Sequence, residues 1–479
     1  MKKVCVVGLG YIGLPTASMF ATHGYLVHGV DINPLIVKTL REGNIHIEEP
    51  GLATVVKAAI SSKNLTVDSK PSESDVFIIA VPTPYNHHSG AIPTADMSYV
   101  TGAMESILPL IKKGDLVILE STSPPGTTRD LIIPMIEKKN LKVGSDVGVA
   151  YCPERVIPGQ ALKELIGNDR VVGAVSPFWA EETKRLYKSF VAGEIFLTEP
   201  TVAEMIKLLE NTYRDVNIAL ANEVSRICEK LHIDVWEVIR MANRHPRVNV
   251  HTPGPGVGGH CISVDPWFIV EKFPADAKLI RMAREINDGV PQVVVQKIVD
   301  TIGKGKKAKI ALLGLAYKGN VDDIRESPAL SIIDQLKKNH PSFELAIFDP
   351  HVTKNKDFPL LSVEDTFKEA DMAVVLTAHD EFKNLDPTKV SSLMKGRIVL
   401  DTHNILKRDT WAQAGFHVAC LGNGAPRTDV RGTHLRPVFA SGSDAASAEL
   451  SEKSDISPKP RTPSSPDSYP GFPAKADGS

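Results

Sequence analysis

A thiol and a set of polar side chains at helical spacing are the residues of this sequence best equipped for chemistry. Cys261 follows Gly254-Pro-Gly-Val-Gly-Gly-His260 and precedes Ile-Ser-Val-Asp265. Glycines let a backbone lie close to a ligand, and a thiol beside backbone N–H groups or a helix start ionises more readily, as a nucleophile requires. An isolated free cysteine is more often buried and inert. The glycines and the carboxylate of Asp265 favour the reactive reading here. Upstream, Glu204, Lys207, Asn211 and Arg214 recur at spacings of three and four, so they share one helical face. Such a stripe ordinarily faces solvent, but Asn211 is a poor mid-helix residue and needs another reason to be there.

A second group of residues shows what the thiol would work with. Lys3-Val-Cys-Val-Val7 is an apolar, strand-forming run that breaks into Gly8-Leu-Gly10-Tyr11-Ile12-Gly13 and then into helix formers. Gly8 permits the tight turn, Gly10 lets a pyrophosphate approach, and Gly13 allows close packing of a helix whose N-terminus meets the phosphates. A second strand, residues 26–30, ends in Asp31 about 20 residues on, where a carboxylate can bind both hydroxyls of an adenosine ribose. That favours NAD over NADP, with a flavin or another nucleotide as the alternative. Strands at 76–81 and 116–120 lead into Val-Pro-Thr-Pro and Glu-Ser-Thr-Ser-Pro-Pro-Gly, which put Thr83 and Thr122 at the ligand end of a parallel sheet. Ser, Thr and Pro also suit plain turns.

Elements of two kinds must position these groups. The 479 residues exceed one ordinary core and predict two or three domains. The fold class read from them is α/β, with two Rossmann-like doubly wound domains joined by a central helical segment. The NAD-binding domain spans 1–200, the helical segment with the Cys261 loop 201–300, and a second Rossmann-like domain 301–421. Residues 309–316, 345–349, 372–376 and 397–401 repeat the order and spacing of the opening strands. The second glycine turn lacks the full fingerprint, so no second dinucleotide is expected. From 422 to 479 the chain is rich in Ser, Pro, Ala, Asp and Lys and predicts a disordered tail. A net charge of −2 gives no global field for nucleic acid. No apolar run is long enough to span a bilayer and no signal peptide leads the chain, which predicts a cytoplasmic protein without a membrane partner. The five cysteines lack Cys-x-x-Cys pairs, and adjacent His87 and His88 read as loop residues, so no metal site is expected.

From Met1 to roughly Lys407 these motifs resemble the UDP-glucose/GDP-mannose dehydrogenase family, the nucleotide-sugar 6-dehydrogenases. The resemblance rests on the N-terminal glycine turn, residues 120–126, Tyr151-Cys-Pro-Glu-Arg-Val156, the Lys207/Asn211 helix, Gly-Gly-His-Cys-Ile-Ser-Val-Asp265, Tyr317-Lys318 and residues 323–328. Residues 214–220 and 243–249 are most similar to the UDP-N-acetyl-D-mannosamine branch. The resemblance implies oxidation of a sugar C6 alcohol to a carboxylate with two NAD+, through a thiohemiacetal and a thioester on Cys261, feeding surface polysaccharide synthesis. It implies Lys207 and Asn211 at the developing oxyanion, Asp265 with Lys207 in proton transfer, and Thr122 with Glu154 around the hydrolytic water, although Glu154 can instead serve only to fix Arg155. The cofactor set it implies is Gly8, Gly10, Tyr11, Ile12, Gly13, Asp31, Thr83, Thr122 and Arg325. For a UDP-sugar it implies Arg155, Val156, Lys207, Asn211, Arg214, His245, Arg247, Gly256, Tyr317 and Lys318, in a homodimer formed through the central helix. The same chemistry on UDP-N-acetylglucosamine or UDP-glucose is the nearest alternative. An NAD-containing epimerase has no use for the thiol, and a non-catalytic nucleotide-sugar sensor has no reason to keep Cys261, Lys207 and Asp265 together.

Overall fold

The computed structural model describes residues 2–47, 49–86, 92–157 and 159–424. His87, His88 and the tail from residue 425 onward lie outside the described residues. Two sheets organise the chain. The first is built from β1 (Lys3–Val7), β2 (Leu26–Val30), β3 (Leu65–Asp68) and β4 (Val76–Ile79). A two-stranded ladder of β5 (Tyr85–Asn86) and β6 (Thr94–Ala95) follows, then β7 (Leu116–Leu119), β8 (Gly148–Tyr151), β9 (Arg170–Ala174) and β10 (Ile195–Thr198). The second sheet holds β11 (Ala308–Leu313), β12 (Phe343–Phe348), β13 (Met372–Val375), β14 (Ile398–Asp401) and β15 (His417–Cys420).

The order of the first sheet is β10-β9-β8-β7-β4-β1-β2-β3, and of the second β12-β11-β13-β14-β15. All neighbours are parallel except β8 and β9. Central strands such as β4 and β7 are buried at every residue because helices cover both faces. Both faces of each sheet carry an apolar cluster of their own. Strand order reverses between β1 and β4 and again between β11 and β13, and ligands of such sheets bind at these points, beyond the carboxyl ends.

The predicted repeat extends to individual hydrogen bonds. Gly8 N–H donates to Val30 O and Gly314 N–H to Phe348 O, both at 2.8 Å. Leu9 N–H donates to Asp31 Oδ2 at 3.0 Å, as Leu315 N–H does to Asp349 Oδ2 at 2.6 Å. The two turns then diverge. A helix starts at Gly13 after the first, whereas the next helix after the second begins only at Pro328. Asp349 is also filled, by the N–H groups of Ala316, His351 and Val352 and by His379 Nε2 at 3.1 Å. The second turn therefore lacks both the helix start and the open carboxylate that a dinucleotide needs.

Between the sheets runs a 31-residue helix, Pro200–Lys230, packed along Lys278–Ile302 and against the shorter Asp265–Lys272 helix. Gly422 to Gly424, which the composition assigns to the tail, close against this segment. Gly422 N–H donates to Glu229 Oε1 at 2.7 Å, and Gly424 N–H to Ile233 O at 3.1 Å.

Candidate active site

The glycine turn is shaped for a dinucleotide. A Cβ on Gly8 would fall 2.6 Å from Ala80 O, and one on Gly13 would fall 1.8 Å from Gly8 O. Around Gly10 a Cβ would meet no atom within 4 Å, which is the open approach a pyrophosphate requires. Asp31 is oriented by the N–H groups of Leu9 and Asn33 at the end of β2. Thr83, buried, and Thr122, half-buried, follow β4 and β7. Tyr11 lies under the Arg325 guanidinium, 5.4 Å from ring centroid to carbon, so the second sheet's loop reaches the first glycine turn. Asp323 holds that guanidinium with bonds of 2.7 to 3.1 Å.

The long helix brings one face to the reactive groups. Glu204 accepts from Gly126 N–H at 2.6 Å and from the N–H and hydroxyl of Thr128 at 2.8 and 2.6 Å, which fixes the loop that carries Thr122. Lys207 is buried and has no hydrogen-bond or ion-pair partner among the described residues. One turn further, Asn211 Nδ2 donates to Asp265 Oδ2 at 2.6 Å. Arg214 is exposed and lies within electrostatic reach of Cys261 and Tyr317. Asp265 opens its helix, with its N–H on Cys261 O at 2.9 Å. Burial lifts the Asp265 carboxyl to about 6, against the pull of Lys207 and Asn211.

The thiol differs from the expectation. Cys261 is exposed while the four other cysteines are buried, yet its pKa is raised. Desolvation by the surrounding protein and the Asp265 carboxylate outweigh Lys207, Arg325 and Arg214. The free thiol is therefore protonated at neutral pH and needs a base. The glycines before it also have a different purpose. A Cβ on Gly258 would sit 2.5 Å from Glu326 O, and one on Gly259 2.8 Å from the Tyr317 ring, while Gly256 (φ 134°) abuts Pro328 and Pro291. They let the loop press against the second sheet's Tyr317 and its 325–328 segment, and Gly259 N–H donates to Arg325 O at 3.0 Å.

Residues 2–191 match the NAD binding domain of the UDP-glucose/GDP-mannose dehydrogenase family, 201–289 its central domain and 311–408 its UDP binding domain. The chain belongs to this family. It is 50% identical over 430 residues to a UDP-N-acetyl-D-mannosamine dehydrogenase of Methanococcus maripaludis, covering 89% of this chain and 98% of that one. It is 44% identical over 419 residues to an NDP-N-acetyl-D-galactosaminuronic acid dehydrogenase of Ralstonia nicotianae, covering 84% and 96%. A solved UDP-N-acetyl-mannosamine dehydrogenase from S. aureus superposes with a TM-score of 0.81 at 48% identity, over 88% of this chain and 99% of that one. This protein is an NAD-dependent nucleotide-sugar dehydrogenase, and NAD is its cofactor.

Several candidates of this dehydrogenase are not brought to the thiol. The Arg155 guanidinium is taken by Glu210 Oε1 at 2.6 Å and by Asp169 O. Val156 packs against the first sheet's core. Glu154 gives one carboxylate oxygen to Arg155 N–H and the other to the buried Arg170. His245 and Arg247 are exposed, and among the described residues their hydrogen bonds stay within their own loop and the helix end before it. Lys318 is exposed beside Tyr317. His351, His379 and Glu381 group within 4.8 Å, but His379 Nδ1 accepts from Asn320 N–H and its Nε2 faces Asp349, so both ring nitrogens are engaged. Sequence reasoning overlooked His46, whose two ring nitrogens are buried near Leu9 and Asp31 with no hydrogen-bond partner among the described residues; nothing in its neighbourhood in the chain marks it. It also overlooked Asn222, although the mid-helix argument that marks Asn211 applies to it equally.

Proposed function

We propose that this enzyme oxidises C6 of UDP-N-acetyl-D-mannosamine to the carboxylate, giving UDP-N-acetyl-D-mannosaminuronate in two successive two-electron steps. The observation that supports the reading is the meeting of the exposed cysteine, a buried lysine with no hydrogen-bond partner among the described residues and a buried carboxyl beside the dinucleotide turn. NAD+ bound over Gly10 supplies the hydride acceptor for each oxidation. Asp265, with Lys207, takes the C6 hydroxyl proton in the first step, and Lys207 and Asn211 face the oxygen on which charge develops. The Cys261 sulfur then adds to the aldehyde carbon, its proton passing through Asp265 to the carbonyl oxygen. Loss of a second hydride and of the hydroxyl proton from this thiohemiacetal leaves a thioester. A water held by the Thr122 hydroxyl attacks it, the C–S bond breaks, and the acid leaves as the sulfur regains its proton.

Arg214, Tyr317 and Lys318 are the groups placed to meet the diphosphate, with Arg325 nearer the cofactor. We also propose a homodimer through the long helix, where Val202, Leu209, Tyr213, Leu220 and Ile227 are exposed at spacings of four and seven; a monomer by light scattering overturns it. Among the described residues no helix is long and apolar enough to cross a membrane. We place the reaction in the cytoplasm, upstream of surface polysaccharide synthesis. Because relatives at 50% and 44% identity are named for different sugars, the deciding assay offers UDP-N-acetylmannosamine, UDP-N-acetylgalactosamine, UDP-N-acetylglucosamine and UDP-glucose in parallel. Two NADH per UDP-N-acetylmannosamine consumed is the expected result. The same ratio with another sugar changes the substrate, and no NADH from any of them overturns the reading.

A further inference from the structure

We infer that Asn222 is a positioning residue for the Cys261 loop, held by a one-way chain of hydrogen bonds that ends on the buried Asp215–Arg284 pair. The inference rests on Cys261 being the nucleophile of the reaction proposed above. Gly254, the first glycine of the loop, donates its N–H to Asn222 Oδ1 at 3.0 Å. Asn222 Nδ2 donates to Asn287 Oδ1 at 2.9 Å, and Asn287 Nδ2 donates to Asp215 Oδ1 at 2.8 Å and to Asp215 O at 3.0 Å. Arg284 Nη1 donates to the same Asp215 oxygen at 2.5 Å. Asn222, Asn287, Asp215 and Arg284 are each 2% exposed or less, so no solvent replaces a lost link.

The direction of every bond is set by the two ends. A backbone N–H can only donate, so the Asn222 amide must turn its oxygen to Gly254 and its nitrogen to Asn287. The Asp215 backbone carbonyl can only accept, so Asn287 must turn its nitrogen to Asp215. Flipping either amide would face oxygen to oxygen or nitrogen to nitrogen in a buried site. Burial raises the Asp215 carboxyl, and the Arg284 guanidinium opposes that rise. The chain fixes the start of the loop to the long helix, while Gly259 N–H fixes its end to Arg325 O. Cys261 follows two residues later. Asp215 adjoins Arg214, so the same chain seats the helix turn from which Arg214 faces the thiol.

The test uses the intact protein without sugar or NAD. Iodoacetamide reads Cys261 alone in the folded chain because the other four cysteines are buried. The groups that face the thiol are Asp265, Lys207, Arg325, Arg214 and Tyr317. Asn222→Ala removes the acceptor that holds Gly254, and Asn287→Leu removes the partner that orients that acceptor; both loosen the loop and lessen the desolvation of the sulfur. Alkylation at pH 8 is then expected to rise about threefold or more, with its pH midpoint lowered. Uronate formation is expected to fall about a hundredfold, since small displacements of a reacting group cost that much. Asn287→Leu keeps the Asn222–Gly254 bond and so provides a milder variant should Asn222→Ala not fold, and unchanged NAD affinity checks that the first sheet is intact. Unaltered alkylation rate and midpoint in both variants overturn the inference, whatever happens to turnover. If alkylated wild-type protein still makes uronate, the assignment of Cys261 fails, a result separate from any change in loop position.

Discussion

Replacing Asn211 by leucine should move the acid limb of catalysis to higher pH. Its amide donates to Asp265 Oδ2 at 2.6 Å, and Asp265 is 2% exposed with its carboxyl already lifted to about 6 by burial. A hydrogen bond to a charged group contributes about 1.5–3 kcal/mol, and one pKa unit corresponds to about 1.4 kcal/mol. The bond stabilises the ionised form, so deleting it favours the protonated one and raises the carboxyl by roughly one to two units. Lys207, still in place, keeps the shift from growing further. The assay is kcat/KM for NADH formation between pH 5 and 9, which reports ionisations of the free enzyme. Asn211 also faces the developing oxyanion, so the whole profile should drop by about a hundredfold. The position of the limb decides, not its height. A limb that stays at the wild-type pH, or moves down, refutes the role given to Asp265 and to its hydrogen bond.

Asp265→Asn should raise Tm at pH 7 while abolishing turnover. The folded carboxyl lies above its ordinary value, so the stability it contributes is fully present below about pH 4 and lost as pH rises through about 6. A neutral amide escapes that loss, worth about 1–3 kcal/mol at neutral pH, and urea titrations at pH 4 and 7 check that the gain appears only at 7. Gly258→Ala places a Cβ 2.5 Å from Glu326 O. It should reduce turnover at least about tenfold with NAD affinity unchanged in calorimetry, because the collision lies between the thiol loop and the second sheet. Arg170→Met leaves the buried Glu154 carboxylate without its cation. A loss of about 3–5 kcal/mol in urea unfolding is expected, partly recovered by adding Glu154→Gln; a loss under about 1 kcal/mol contradicts the pairing.

Strands buried on both faces were legible because they read as unbroken apolar runs. β1, β2, β4 and β7 fall within two residues of where the sequence puts them. β9 was not legible, since it opens on Arg170, a residue type that signals surface until Glu154 is brought beside it by folding. β10 was missed for the opposite reason: Phe196 and Leu197 are exposed on an edge strand, so no alternation marks an inner face. The glycines before Cys261 could be counted, but what they press against, Tyr317 and Glu326, lies far along the chain. The thiol's ionisation was misread for a related reason. Neighbouring N–H groups are visible in sequence, whereas burial and the Asp265 carboxylate, which outweigh them, are properties of the folded site.

The contrast between asparagine and arginine explains which site residues could be found. An asparagine inside a helix costs stability unless its amide has a partner. Asn211 has Asp265, and Asn222 has Gly254 and Asn287. The cost makes such a residue informative before the partner is known. An arginine on a helix or loop costs almost nothing in water, so its type says little about what it binds. Arg155 is spent on Glu210 and Asp169 O, and Arg247 stays in its own exposed loop. Arg325 is informative only through the Tyr11 ring beneath it, a contact between two loops more than half the chain apart. Residues that break a local rule therefore point to the site more reliably than residues that merely carry its charge.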